Sequence, residues 1–214
     1  MLANKKPWGH ELLAYQNENV AIWHLFLNPW EETSLHCHPN KKTGLVVLEG
    51  GASVAFLSGE NKLFAGEKIM IRQGVFHKSR NRTAYPLQLF EIETPVQKDD
   101  LVRLEDRYSR PSSYGPEPSI EIQQEYPWND WGASSRIGTV KVGIEDLNSS
   151  PLYEDGEFFY DPASLYMVIQ GGVHKDGIYV CGPGDVISAS HLETLTSKFT
   201  LDKDSLAIRI RSEH

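Results

Sequence analysis

The sequence predicts an all-β protein, a barrel or sandwich of short antiparallel strands, present in two related copies. Three observations carry this. Short apolar runs rich in Val, Ile, Leu and Phe recur along the chain, and turn residues interrupt them every few positions. Helical spacing of apolar residues competes with this pattern in one short stretch only. The second half of the chain repeats, in outline, the strand and turn pattern of the first.

Taken in order, residues 45–48 form an apolar run that ends at Gly50 and Gly51. Residues 52–57 and 62–64 flank a hairpin-like turn at 58–61, and residues 68–71 lie between turns at Gly66 and Gly74. Residues 87–93 alternate as a strand does. The exception is residues 98–108, where Leu101, Leu104 and Tyr108 share a helical face. Asp99 and Asp100 suit the first turn of that helix and Arg107 its last, and Pro111 ends it. Residues 109–134 are rich in Ser, Pro, Gly and Trp and read as a linker or an ordered excursion. Tyr126, Trp128 and Trp131 within it imply packing.

The internal repeat aligns residues 45–51 with 166–172 and residues 65–71 with 183–189. The organisation expected is therefore a barrel with a short C-terminal helix over 1–108, a connecting segment over 109–134, and a degenerate copy over 135–214.

A net charge of −8 without a basic cluster argues against a nucleic-acid surface. No run approaches the roughly 20 apolar residues of a membrane span. Cys37 and Cys181 have no paired spacing, so free thiols are expected. Residues 1–8 lack an apolar signal core. These features predict a soluble cytoplasmic protein whose partner is a small molecule, with neither nucleic acid nor membrane involved.

Chemistry is concentrated in the histidines. His36 and His38 flank one residue of an extended run, so alternation sends both rings to one face and Cys37 to the other. Two such rings reach one ion, and His77, after the turn at 72–76, is the candidate third ligand from a neighbouring strand. His10, His24, His174, His191 and His214 read as surface or core residues. Glu91 and Glu93 share a face of the 87–93 strand; if that face is interior they are the acid/base candidates, if exterior they are solvated. Lys41 and Lys42 follow the histidines and are candidates to meet a phosphate, with a solvated loop pair as the alternative. Arg72 is a similar candidate.

The spacing of these residues resembles the cupin superfamily. Its first motif has two histidines, a glutamate and a glycine; here His36, His38 and Gly50 match, and Thr43 stands in the glutamate position. Its second motif is matched by Gly66, Gly74, His77 and Asn81, with Arg72 in a proline position. The resemblance implies a jelly-roll barrel over about residues 20–95 with a metal on His36, His38 and His77. Thr43 cannot supply the carboxylate, which leaves a three-imidazole set for one divalent transition metal, Zn, Fe, Ni or Mn. In the second copy the same offsets place Glu157, Phe159, Ser164 and Leu195 opposite His36, His38, Thr43 and His77, so no ligand set survives there. The whole is similar to a bicupin with a degenerate second barrel, and by analogy with cupins a homodimer is expected.

Two flanking stretches, residues 6–11 and 99–110, resemble the opening and ending of mannose-6-phosphate isomerase type II cupin domains, with Ser109 in place of a glycine. This resemblance implies a metal-dependent isomerase or epimerase acting on a sugar or sugar phosphate. A three-histidine iron dioxygenase and a non-catalytic sugar-binding cupin are the alternatives.

Overall fold

The computed structural model divides into two units, Met1–Glu125 and Tyr126–His214. It describes residues 1–113, 115, 117–129, 133–149, 152–154 and 157–212, with the backbone path alone at 129, 152–154 and 157–159. Trp131 and His214 lie outside the described residues.

The first unit has twelve strands: β1 (Leu2–Lys6), β2 (Gly9–Gln16), β3 (Ala21–Leu27), β4 (Leu35–Cys37), β5 (Lys42–Glu49), β6 (Gly51–Phe56), β7 (Gly59–Phe64), β8 (Lys68–Ile71), β9 (His77–Asn81), β10 (Leu87–Thr94), β11 (Val102–Glu105) and β12 (Ser119–Glu121). Strands β3 to β10 pair first with last: β3 with β10, β4 with β9, β5 with β8 and β6 with β7. This nested pairing distributes them over two sheets, β3-β10-β5-β8 and β4-β9-β6-β7, and is a jelly roll. The β1–β2 hairpin and β12 extend the first sheet beyond β3, and β11 extends the second beyond β4.

Alternation fills the barrel. Leu25 and Leu27 from β3, Leu45 and Val47 from β5, and Leu87 and Leu89 from β10 meet Val54 and Leu63 in one core cluster. The same face of β10 continues to Glu91 and Glu93, which line an internal cavity with His36 and His38. The barrel interior is thus apolar at one end of β10 and acidic at the other. The two motif residues Gly50 and Asn81 are structural. Gly50 turns from β5 to β6 with φ +82°, and a Cβ there would stand 3.0 Å from the Pro86 carbonyl oxygen. The buried Asn81 amide donates to the carbonyls of Leu27, Asn28 and Tyr85 at 2.7–3.2 Å, tying three loops together.

The helix expected over 98–108 does not form. Residues 102–105 are strand β11, which pairs antiparallel with β4 in the register Val102↔Cys37 and Arg103↔His36. An open strand edge offered hydrogen bonds that outweigh weak helical spacing, and β-branched Val102 suits it. Leu104 is exposed, and an i,i+4 ion pair forms between Asp106 and Arg110 at 2.6 Å, beyond the end of β11.

The second unit contains β13 (Ser135–Ile137), β14 (Val140–Asp146), β15 (Leu152–Glu154), β16 (Glu157–Phe159), β17 (Ser164–Gln170), β18 (Val173–Lys175), β19 (Ile178–Cys181), β20 (Val186–Ser188), helix α1 (Ala189–Thr196), β21 (Thr200–Leu201) and β22 (Leu206–Ser212). Its sheet order β14-β22-β17-β20 repeats β3-β10-β5-β8 of the first unit, and β21-β18-β19 repeats β9-β6-β7. The repeat extends to single hydrogen bonds. Gly66 N–H donates to Val47 O and Val47 N–H to Glu67 O, at 2.9 and 3.0 Å; Gly184 N–H donates to Val168 O and Val168 N–H to Asp185 O, both at 2.9 Å. Among the described residues, the pair that fails to recur is β4–β9, the one that carries the histidines. In its place β15 and β16 pair with each other. Leu195 stands on α1, inserted between β20 and β21, and so is not the counterpart of His77 that the sequence offset implies. Among the described residues, no helix is long and apolar enough to cross a membrane.

Candidate metal centre

Jelly-roll pairing brings β4 and β9 side by side, with His36 directly opposite His77. His38 follows β4 one alternation later, and Glu91 reaches in from β10 on the facing sheet. One donor atom from each of His36, His38, His77 and Glu91 lies within 4.8 Å of the others, a spread that one ion at ordinary ligand distances gathers with little movement. The candidate ligand cluster therefore includes a carboxylate although position 43 lacks one. It comes from β10, two positions along the strand from Glu93, which is the residue opposite Thr43.

Each imidazole is oriented by its other nitrogen. His36 Nδ1 bonds Ser34 O at 2.8 Å, His38 Nδ1 bonds Asp100 O at 2.6 Å, and His77 Nδ1 bonds Val75 O at 3.0 Å. A carbonyl only accepts, so every Nδ1 carries a proton, and in the neutral ring Nε2 has a lone pair available to a ligand. His38 Nε2 and His77 Nε2 are buried without a hydrogen-bond partner. The nearest contact, His38 Nε2 to Glu91 Oε1 at 3.7 Å, is too long for one. Buried lone pairs of this kind fit a metal. Burial pushes the His36 and His77 rings below the ordinary imidazole range, so both are neutral. Burial also pushes Glu91 up, but the His38 ring first, then His36 and His77, holds its carboxyl well down. Burial lowers the His38 ring too, but Glu91 beside it raises it on balance above the ordinary imidazole value. Three imidazoles and a carboxylate suit a divalent cation, and N3O donors suit Zn, Fe, Ni or Mn.

Lys41 and Glu93 complete the interior. Lys41 is 1% exposed and its ammonium donates to Glu93 Oε1 at 2.8 Å. Lys41 is therefore neither a solvated loop residue nor a free point charge. Lys42, one position on, faces the opposite way and lines a shallow outer depression with Arg72 and Gln73. The structure does not bring Lys42 or Arg72 to the histidine cavity. Alternation along β5 separates the two lysines, and Arg72 lies beyond the end of β8.

The flanking motifs converge on this cavity from both ends of the unit. Lys6, Trp8 and Glu11 reach it from β1 and β2, and Lys98, Arg103 and Arg110 from the segment around β11. Glu11 Oε1 bridges Lys6 at 3.1 Å and Lys98 at 2.5 Å, and the Lys98 ammonium lies 3.3 Å from the centre of the Trp23 ring. None of these residues was singled out individually by the sequence; the two motifs signalled all of them but Lys98, which immediately precedes the second.

Asp100 is the other residue that spacing alone missed. Its carboxylate accepts from Asn40 N–H and Lys41 N–H at 2.9 and 3.0 Å and from the Asn40 amide at 2.9 Å, while its carbonyl holds His38. Burial would raise its pKa, but the Asn40 donors and Lys41 hold it below the usual carboxylate value. One residue thus fixes both a ligand ring and the loop that leads to Lys41. Replacing Asp100 by alanine orphans the buried Lys41 N–H and the part-buried Asn40 N–H, and a loss of about 2 kcal/mol is expected in urea unfolding. Metal affinity should fall about tenfold, as for other outer-shell partners. Unchanged unfolding and unchanged metal titration would show that the 39–41 loop holds itself.

Residues 3–106 match the family model of the mannose-6-phosphate isomerase C-terminal domain. Among curated proteins, the chain is 33% identical over 108 residues to the mannose-1-phosphate guanylyltransferase ManC of Salmonella typhimurium, covering 49% of this chain and 22% of that protein. It is 31% identical over 108 residues to the mannose-1-phosphate guanylyltransferase of Escherichia coli, with the same coverage. The chain spans under a quarter of the length of these relatives. A solved sugar phosphate isomerase of the cupin superfamily from Silicibacter pomeroyi aligns with a TM-score of 0.35 at 23% identity, over 36% of this chain and 52% of that one. A double-stranded β-helix protein from Klebsiella pneumoniae aligns with a TM-score of 0.40 at 18% identity, over 44% and 77%.

Proposed function

Because residues 3–106 match the family model of the mannose-6-phosphate isomerase C-terminal domain, we propose that the first barrel is a metal-dependent isomerase acting on a phosphorylated sugar. The observation that carries this reading is the junction, in one cavity, of the His36–His38–His77–Glu91 cluster with the buried Lys41–Glu93 pair.

A divalent ion on His36, His38, His77 and Glu91 supplies Lewis acidity towards neighbouring carbonyl and hydroxyl oxygens of a sugar. Glu93 is the proton carrier. Burial raises its carboxyl above the ordinary value, with Glu91 adding to the rise and Lys41 opposing it, which moves a carboxylate towards the range useful for acid–base work near neutral pH. It takes a proton from the hydroxyl-bearing carbon beside the carbonyl and returns it to the carbonyl carbon, while the hydroxyl proton passes to the carbonyl oxygen. Lys41 keeps Glu93 aimed into the cavity and stabilises its ionised form at the start of the cycle. The aromatic and cationic mouth, Trp8, Trp23, Lys6 and Lys98, receives the remainder of the substrate.

The test is an anaerobic screen of aldose and ketose phosphates by NMR, with protein loaded in turn with Zn, Fe(II), Ni or Mn. Interconversion of one aldose–ketose pair is expected, and it should be abolished in Glu93→Gln while the metal content stays unchanged. Oxygen consumption by the iron form in place of isomerisation would move the assignment to a dioxygenase. Sugar binding without turnover by any metal form would make it a binding protein.

A further inference from the structure

Residues 111–113 and 117–118 lie between β11 and β12, which joins the sheet of the first barrel beside β1. They are fastened on both sides. Arg103 N–H donates to Ser112 O at 2.7 Å, and Arg103 Nη1 donates to Pro111 O and Ser113 O at 2.9 and 2.6 Å. Beyond, Lys5 N–H donates to Pro118 O at 2.7 Å, and β12 pairs with β1. Between the two fastenings Glu117 turns its carboxylate inwards onto the Lys6 ammonium. Both side chains are largely buried, at 12% and 6% exposed.

A surface strap has no packing reason to place an ionised carboxylate there, because burying a charge is costly unless a partner requires it. The partner is the cationic mouth. Lys6, Lys98 and Arg103 line it, and Glu11 meets Lys6 and Lys98. Glu117 adds a second carboxylate beside Lys6. Two donors stay unmet: Trp23 Nε1 and Arg103 Nε, both lining the cavity, are buried with no hydrogen-bond partner. A phosphate monoester brings more charge than a carboxylate and three acceptor oxygens in place of two.

We propose that Glu117 is a built-in competitor, its carboxylate occupying beside Lys6 the subsite for the phosphate group of the substrate. The inference rests on the sugar-phosphate reading of the site and adds to it where the anionic end sits and what it must displace. Rotation of one side chain opens the subsite, since the fastenings at 111–113 and 118–121 are all made by backbone carbonyls and strand pairing. The strap therefore tunes affinity without leaving the barrel.

The experiment is titration of the full chain with inorganic phosphate by calorimetry at fixed low ionic strength, comparing wild type with Glu117→Gln, Glu117→Ala and Lys6→Gln. If Glu117 is docked about nine-tenths of the time, its removal should tighten phosphate binding about tenfold. Both Glu117 variants should show this, so one poorly folded variant does not decide the matter. Lys6→Gln should bind phosphate more weakly than wild type, and the tightening should vanish in Glu117→Gln combined with Lys6→Gln. Phosphate bound no more tightly by either Glu117 variant than by wild type, or equally well without Lys6, overturns the proposal. The readout needs no turnover, so it stands or fails separately from the isomerase assay.

Discussion

Alanine in place of His77 is expected to remove stoichiometric metal from the protein and to leave the barrel folded. His77 opens β9 and faces His36 across the β4–β9 pair. Its ring presents an Nε2 that no protein group satisfies. Loss of a direct ligand costs more than the roughly 10–100-fold that loss of an outer-shell partner costs, so after dialysis elemental analysis should fall from about one ion per chain towards none. The backbone gives no reason to unfold, because alanine keeps the strand; it removes a buried Nε2 that had no partner and gives up one hydrogen bond, from Nδ1 to Val75 O. Thermal unfolding separates the two consequences. Metal in about thousandfold excess over its dissociation constant stabilises a protein that binds it by about 4 kcal/mol. Wild type should show that rise and His77→Ala should not, with the two metal-free forms melting at similar temperatures. Glu91→Gln should behave in the same direction, since it keeps the shape and removes the charge. Retention of one ion per chain by His77→Ala would move the site away from β9 and with it the whole assignment.

The histidine part of this centre was legible because strand alternation and turn spacing are local. His36-x-His38 fixes two rings on one face, and the spacing from Gly66 to Asn81 carries His77 to the neighbouring strand. The carboxylate was half legible. Alternation put Glu91 and Glu93 on one face, but which face is interior depends on contrast between the faces, and β10 has little. Phe90 and Ile92 on its other side are as fully buried as Leu87 and Leu89. The sequence therefore left open what the barrel decides. Residues 98–108 misled for a different reason. Their apolar spacing and terminal charges favour a helix locally, whereas what they satisfy is remote: the open edge of β4 and the unpaired N–H groups of Asn40 and Lys41. The same holds for Lys41 and Lys42, which look alike as a doublet and part company once β5 gives them opposite faces. The second unit was legible as a repeat wherever its hydrogen bonds repeat. It was misread at Leu195, where an inserted helix shifts the count.

The buried Lys41–Glu93 pair carries the largest stability effect expected anywhere in the first barrel. Replacing Lys41 by methionine keeps the aliphatic stem and deletes the charge. Glu93 then stands in a closed cavity with Glu91 as its nearest ionised neighbour, and removal of one partner from a buried pair costs about 3–5 kcal/mol. The loss should be asymmetric. Glu93→Gln leaves the Lys41 ammonium with Glu91 still near, so it should cost clearly less than Lys41→Met. The double change of Lys41 to Met and Glu93 to Leu should recover most of the stability, because no uncompensated charge remains. The pH dependence has a definite sign. Burial and Glu91 already raise the Glu93 carboxyl, and without Lys41 nothing in the pair opposes them. The native state then holds a proton that the unfolded chain has released, so stability falls as pH rises from the unfolded glutamate value through the folded one. The deficit of Lys41→Met should accordingly be smallest near the ordinary glutamate pKa and widen towards neutrality, a trend that urea midpoints across that range measure. Addition of metal should narrow it again, since an ion beside Glu91 offsets part of the excess negative charge. A Lys41→Met protein within about 0.5 kcal/mol of wild type would place Lys41 among ordinary surface lysines and deny Glu93 the tuned environment on which its role as proton carrier depends.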